Sequence, residues 1–262
     1  MNDEELRQAV RRGFANPEHL SELLRRRDLS VDRLKSVRTN LAEAITSAKI
    51  SSEELQRFIS KLSKAKTTDE FDQVLAELRY ANRLIASGAV AENSPIFTGA
   101  KQGRQYRLGS TTIKIDPVPE ADALYLGTDG LIHLDEVKNT AQALRNKLRK
   151  KPKQLERMLD WRDSGLAREI RIVVATESGW TNLFAVRSEK EEAALKILID
   201  EDVPLTIGSY DLSVAKMDEL LDAKEKKIIE MIKQETWSNW NDFYRQMSTL
   251  ADTQSFLGIT LP

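Results

Sequence analysis

Apolar residues recur at helical spacing through the N-terminal part of the chain. Leu34, Leu41, Ile45 and Ala48 share one face between Ser30 and Ser51, whose hydroxyls suit helix N-caps. Leu6, Val10 and Phe14 mark a short amphipathic piece before them, and Asn16-Pro17 opens another with proline at the first helical position. Ser51-Ser52-Glu53-Glu54 has the serine-to-glutamate spacing of a capping box. Residues 1 to about 66 are therefore expected to be helical throughout. A further helix is expected after Thr67-Thr68-Asp69, carrying Phe71, Val74, Leu75, Leu78, Ala81, Leu84 and Ile85 to a stop at Gly88. Glu77 interrupts its apolar stripe.

From about residue 95 the pattern changes. Glycines at 99, 103 and 109, followed by alternating Thr111-Thr112-Ile113-Lys114-Ile115, predict a loop and then a strand. Asp116-Pro117-Val118-Pro119 holds an extended approach to Glu120–Lys138, which reads as a hairpin turning at Thr128-Asp129-Gly130. After Asn139-Thr140 comes a basic helical run bearing Arg145, Lys147, Arg149, Lys150, Lys151, Lys153 and Arg157, which Pro152 splits in two. Its second part includes Leu155, Met158, Leu159 and Trp161 and closes at Ser164-Gly165. Ile170–Ala175 is a buried strand, Asn182–Val186 a second one, Ser188–Asp202 a helix and Pro204–Gly208 extended again. Helix resumes from Ser213, where Trp237, Trp240, Tyr244 and Met247 fall at the spacing of a packing stripe. Strands alternating with helices, entered by an antiparallel hairpin, predict an α/β layer arrangement. The expected divisions are a helical region over 1–66, a core over 67–212 and a helical C-terminal extension over 213–262.

Composition narrows the chemistry. With 262 residues the chain can bury a sizeable core, and 40% hydrophobic with 31% charged residues describes an ordered, charge-rich protein. The formal net charge is −1, so affinity for nucleic acid has to come from a local patch such as the basic run. Absence of cysteine excludes disulfides, thiolate zinc sites and cysteine nucleophiles. Only His19 and His133 are present, too few for multi-histidine metal sites. The start Met-Asn-Asp-Glu-Glu lacks the pattern of a secretory signal, and no segment has the apolar length of a membrane span, so a cytoplasmic site of action is expected, with delivery from a larger secreted protein also open.

The hairpin holds the candidate chemistry. Pairing symmetric about Asp129 puts Asp122 opposite Glu136, and a side-chain period of two puts Glu136 and Lys138 on one face with Val137 on the other. Two carboxylates brought together in a strand are costly unless a cation lies between them, which points to a divalent metal. Asp122, Glu136 and the Val137 carbonyl supply the oxygen ligands that Mg²⁺ prefers while leaving positions for water and a scissile phosphate. Lys138 can orient or deprotonate the water and stabilise the charge of a pentacovalent transition state. Glu120 and Asp135 are alternative carboxylates, Asp135 on the opposite face from Glu136. The plainer alternative is a cross-strand ion pair on a solvated sheet face. His133 is expected to have a surface or packing role. The basic run, with Lys150 and Lys151 in it, is suited to phosphate-backbone contact.

Pro119-Glu-Ala-Asp122, followed after a hairpin by Glu136-Val-Lys138, resembles the motif of the PD-(D/E)XK nuclease superfamily. The resemblance implies a restriction-endonuclease-like mixed β-sheet core flanked by helices, covering roughly residues 68 to 210. It implies a metal-linked glutamate on the preceding helix, a position that Glu77 matches, and Mg²⁺ as cofactor with Mn²⁺ able to substitute. Glu136-Val-Lys-Asn139 followed by a helix is similar to the subset found in polymorphic and contact-dependent bacterial toxins, which implies Lys153 and Gln154 at the substrate and a cognate immunity protein as partner. One departure is that two residues separate Pro119 from Asp122. The implied activity is metal-dependent hydrolysis of phosphodiester bonds in DNA or RNA. The alternative is a noncatalytic nucleic-acid- or protein-binding module that keeps the fold, and the sequence leaves the oligomeric state open.

Overall fold

The computed structural model describes residues 18–100, 104–114, 121–150, 152–165, 169–177, 180–183 and 189–222, with single positions 4, 6, 8, 167 and 242. Val10, Phe14, Asn16, Pro17, the approach at 115–120 with Glu120, Lys151 and the aromatic stripe from Trp237 to Met247 lie outside the described residues. The fold is mixed α/β, with a two-stranded sheet and a five-stranded mixed sheet. Backbone packing divides the described residues into two compact units: those within 1–137 and 161–169, and those within 138–160 and 170–262. These units do not follow the divisions drawn from sequence texture, because the N-terminal helices pack into the same unit as the hairpin.

The first unit contains helices α1 (Glu18–Leu24), α2 (Val31–Ser47), α3 (Ser52–Lys64) and α4 (Thr68–Ala86), of which α2, α3 and α4 start where the caps predict. Ser30 Oγ accepts the Arg33 N–H at 3.3 Å, Ser51 Oγ that of Glu54 at 3.2 Å and Thr67 Oγ1 that of Glu70 at 3.2 Å. The expected capping box at Ser51 takes a different form: Glu54 Oε2 accepts the Thr98 N–H at 3.0 Å and pairs with Arg57 at 2.5 Å, tying α3 to the loop before β1. Helix α4 ends as expected, with Gly88 at φ +72° and the Ala89 N–H returned to the Leu84 carbonyl at 3.1 Å. Val37, Leu41, Phe58, Ile59, Leu62, Phe71 and Leu78 fill the helical core, each about 2 kcal/mol of apolar burial.

A strand β1 (Gln105–Leu108) occupies the stretch expected to be loop, paired antiparallel with β2 (Thr111–Lys114). Tyr106 and Leu108 point inward while Gln105 and Arg107 stay exposed, a period of two that the flanking glycines mask in the sequence. The hairpin strands are β3 (Ala123–Leu126) and β4 (Ile132–Lys138). On the other side of β3, isolated bridges Phe97↔Leu124, Ala100↔Ala121 and Val90↔Gly127 cover the strand with irregular backbone.

The second unit contains α5 (Ala141–Lys150), α6 from Pro152 to Asp163 in its greater part, β5 (Glu169–Val174), α7 (Glu189–Asp200), β6 (Leu205–Ile207) and β7 (Tyr210–Leu212). Pro152 splits the basic run as predicted. Strands β5 and β6 are parallel, with Val173 opposite Thr206, and β6 and β7 are antiparallel across a turn with Gly208 at φ +60°. The expected strand at Asn182–Val186 is instead a 3₁₀ turn over Trp180–Leu183, whose end residues Trp180 and Leu183 are both buried; 184–186 lie outside the described residues. Residues 214–222 are helical. Among the described residues no helix is long and apolar enough to cross a membrane.

Candidate active site

The β3–β4 hairpin turns at Thr128-Asp129-Gly130, with Gly130 at φ +77° and the Gly127 N–H donating to the Leu131 carbonyl at 2.8 Å. Ala123 pairs with Asp135, Leu124 with Leu134 and Tyr125 with His133, a register symmetric about Asp129 as the sequence predicts. Continued by one residue, it sets Asp122 across from Glu136. Asp122 lies just outside β3 at a bend, where its N–H donates to the Asp135 carbonyl at 3.0 Å.

Side-chain alternation then sorts the carboxylates. Asp135 is fully buried and accepts the Tyr80 hydroxyl at 2.7 Å, so this carboxylate serves the face covered by α4. Glu136, on the other face, is only 3% exposed. Glu136 therefore does not lie on a solvated sheet face. His133 has the packing role expected of it: its ring stacks on Tyr125 at 4.9 Å, and Nε2 meets Asp129 Oδ2 at 2.9 Å. Burial pushes the Asp129 carboxyl up, but the Leu131 N–H and the His133 ring outweigh it and hold the group below its ordinary value.

Val137 links the predicted residues. Its side chain is fully buried, which fixes the peptide groups on either side. Its N–H donates to Asp122 Oδ2 at 2.9 Å. Its carbonyl accepts Gln73 Nε2 at 2.8 Å, and the same amide nitrogen donates to Glu77 Oε1 at 3.1 Å. The two hydrogens of one amide are thus spent on two acceptors, which also settles which end of the Gln73 amide is nitrogen. Lys61 Nζ lies 3.7 Å from Glu77 Oε2. Glu77 thus reaches the Val137 peptide by way of Gln73, and among the described residues no group of three or more His, Asp or Glu side chains is spaced to hold one ion. Gln73 was not singled out in the sequence, although it lies one helical turn before Glu77 on the same face of α4.

Lys138, next in the chain, ends β4, is half-buried, and shares the Glu136 face by alternation. In the second unit its carbonyl accepts the Ala175 N–H at 2.8 Å, and the Asn139 carbonyl accepts that of Thr176 at 3.0 Å, which anchors the strand end. Lys150 is exposed at the end of α5, Lys153 is exposed in the first turn of α6 and Gln154 beside it is half-buried.

The donor chemistry suits a small, hard cation. Asp122 and Glu136 offer carboxylate oxygens, and the Val137 carbonyl has two lone pairs, of which Gln73 takes one. An ion held by so few protein ligands would keep several waters, as Mg²⁺ does. Comparison with protein-family models, curated proteins and solved structures finds no match to this chain.

Proposed function

We propose that the chain is a metal-dependent nuclease that hydrolyses phosphodiester bonds in DNA or RNA, built on a restriction-endonuclease-like core. The observation that carries this reading is the meeting of Asp122 and the Gln73–Glu77 pair on the two polar groups of Val137, directly beside the buried Glu136. Asp122, Glu136 and the Val137 carbonyl would hold Mg²⁺ or Mn²⁺, with Glu77 assisting through Gln73. When bound, the ion supplies Lewis acidity at the phosphate and a more acidic water.

The protein's own groups supply the rest. Gln73 fixes the direction of the Val137 carbonyl before substrate arrives, so the site needs no reorganisation at the moment of reaction. Lys138 holds the attacking water, can accept its proton when its ammonium is deprotonated, and in its charged form offsets negative charge building on the phosphoryl oxygens. Lys150, Lys151, Lys153 and Gln154 contact the strand backbone, a sequence-independent interaction that positions the scissile bond. A toxin role, with a cognate inhibitor protein as partner, is the biological setting in which the Glu136-Val-Lys-Asn139 pattern fits best.

The test is cleavage by purified protein with Mg²⁺. Glu136→Gln and Lys138→Ala should each lower the rate by about 10²–10³-fold, the usual cost of one transition-state group, while the circular dichroism spectrum stays that of the parent. Full activity in either variant overturns the mechanism.

A further inference from the structure

We propose that a cavity in the helical unit binds one nucleotide of the substrate strand, with its phosphate on Lys61 and Lys64. The cavity measures about 690 Å³ and is walled by α1, α3, the first half of α4 and the start of β1. That volume lies within the range of about 300–1,000 Å³ usual for sites that enclose a small organic ligand, and it exceeds what a phosphate ion alone would fill.

Its charge balance selects the ligand. Three glutamates line the space, but each is engaged: Glu53 with Arg104 at 2.9 Å, Glu54 with Arg57 at 2.5 Å, and Glu70 with the Lys66 N–H at 2.8 Å. Arg57 and Arg104 are neutralised in the same pairs. Lys64 has no hydrogen-bond or ion-pair partner among the described residues, and Lys61 is held only loosely by Glu77, at 3.7 Å with its side chain 45% exposed. Glu70 keeps its negative charge, because the N–H it accepts is neutral, so the four cations of the lining exceed its three carboxylates by one charge, presented by Lys61 and Lys64 one turn apart on α3, a fit for a singly charged phosphate. Val74, Ala65 and the nearly buried Tyr106 supply apolar wall for the body of the ligand. An anionic head on a partly apolar body describes a nucleotide.

Lys61 also connects the cavity to the candidate site, through Glu77 and Gln73 to the Val137 carbonyl. A phosphate on Lys61 competes with Glu77 for the same ammonium, so occupancy of the cavity is felt by the network that orients that carbonyl. The identity of the ligand as part of a strand rests on the nuclease reading; the existence of the anion site does not.

The experiment measures binding of a fluorescent 5′-phosphorylated tetranucleotide by anisotropy, in chelator so that no cleavage occurs, with a mononucleotide and inorganic phosphate as competitors. Lys61→Ala with Lys64→Ala should weaken binding about tenfold and reduce the salt slope of log affinity by about one per lysine removed. Glu77→Gln, which frees Lys61, should tighten binding severalfold, and Lys35→Ala, exposed on α2, should change nothing. The mononucleotide should displace the probe and inorganic phosphate should do so at least tenfold less well. Unchanged affinity in the double variant, an equal loss in Lys35→Ala, or equal competition by inorganic phosphate overturns the proposal. Normal binding by a chain that never cuts would leave the subsite standing and overturn the nuclease reading instead.

Discussion

Replacing Gln73 by methionine keeps the length and shape of the side chain and deletes its amide. Two hydrogen bonds go with it, the one to the Val137 carbonyl at 2.8 Å and the one to Glu77 at 3.1 Å. A neutral bond of this kind contributes about 1 kcal/mol net, and one to a charged carboxylate about 1.5–3 kcal/mol. Gln73 is half-buried, so water recovers part of the loss, and the expected destabilisation is about 2 kcal/mol. For a chain of this size that lowers the melting temperature by roughly 4–8 °C. The control is Gln142→Met, whose amide donates to Asn146 at 3.2 Å on an exposed surface and should cost under about 0.5 kcal/mol. Urea unfolding followed by circular dichroism measures both variants. If Gln73→Met is no more destabilising than Gln142→Met, the Val137 hub is not held as described. Under the proposed function the same variant also cuts about tenfold more slowly, because a misdirected carbonyl weakens the site without removing a ligand.

Three further outcomes follow from the hairpin and its cover. Tyr80→Phe leaves the fully buried Asp135 without its hydroxyl donor and should cost about 1.5–3 kcal/mol in urea unfolding; a neutral result would mean that this hydrogen bond does not help hold α4 to β4. Gly127→Ala would place a methyl 2.5 Å from His133 Nε2, on a ring held between Tyr125 and Asp129, and should destabilise by about 1–3 kcal/mol, whereas Gly130→Ala meets no atom within 4 Å and suffers only from its φ of +77°. The Asp129 carboxyl is lowered in the fold, so its stabilising contribution is present above the unfolded value near 3.9 and is lost as pH falls through the folded value. The melting-temperature gap between the parent and Asp129→Asn should therefore shrink as pH is lowered from about 6 to about 3, and a gap that holds or widens refutes the assignment.

The sequence made some features legible because their causes are local. Ser30, Ser51, Thr67, Gly88 and Pro152 act within a turn of their own positions, and the helix ends lie where those residues put them. The hairpin register follows from one tight turn at Asp129, and it carries Asp122 to Glu136 without reference to the rest of the chain. Other features depend on distant contacts. Glu54 forgoes a purely local cap for Thr98, 44 residues away, and Gln73 acquires its role from a carbonyl 64 residues on. Strand β1 was hidden by the glycines around it, and the Lys61–Lys64 cavity exists only once α1, α3, α4 and β1 are brought together. Glu77 was legible as a position, through the resemblance, but its link to the site through Gln73 was not.

Cleavage is the most direct test of the central claim. Purified protein should be offered duplex DNA, single-stranded DNA and transfer RNA in parallel, once with Mg²⁺ and once with excess chelator. Hydrolysis of at least one of these substrates with Mg²⁺, lost in chelator and in Asp122→Asn, is the predicted result. Intact substrate in every Mg²⁺ arm, or cleavage that survives both the chelator and Asp122→Asn, would contradict it.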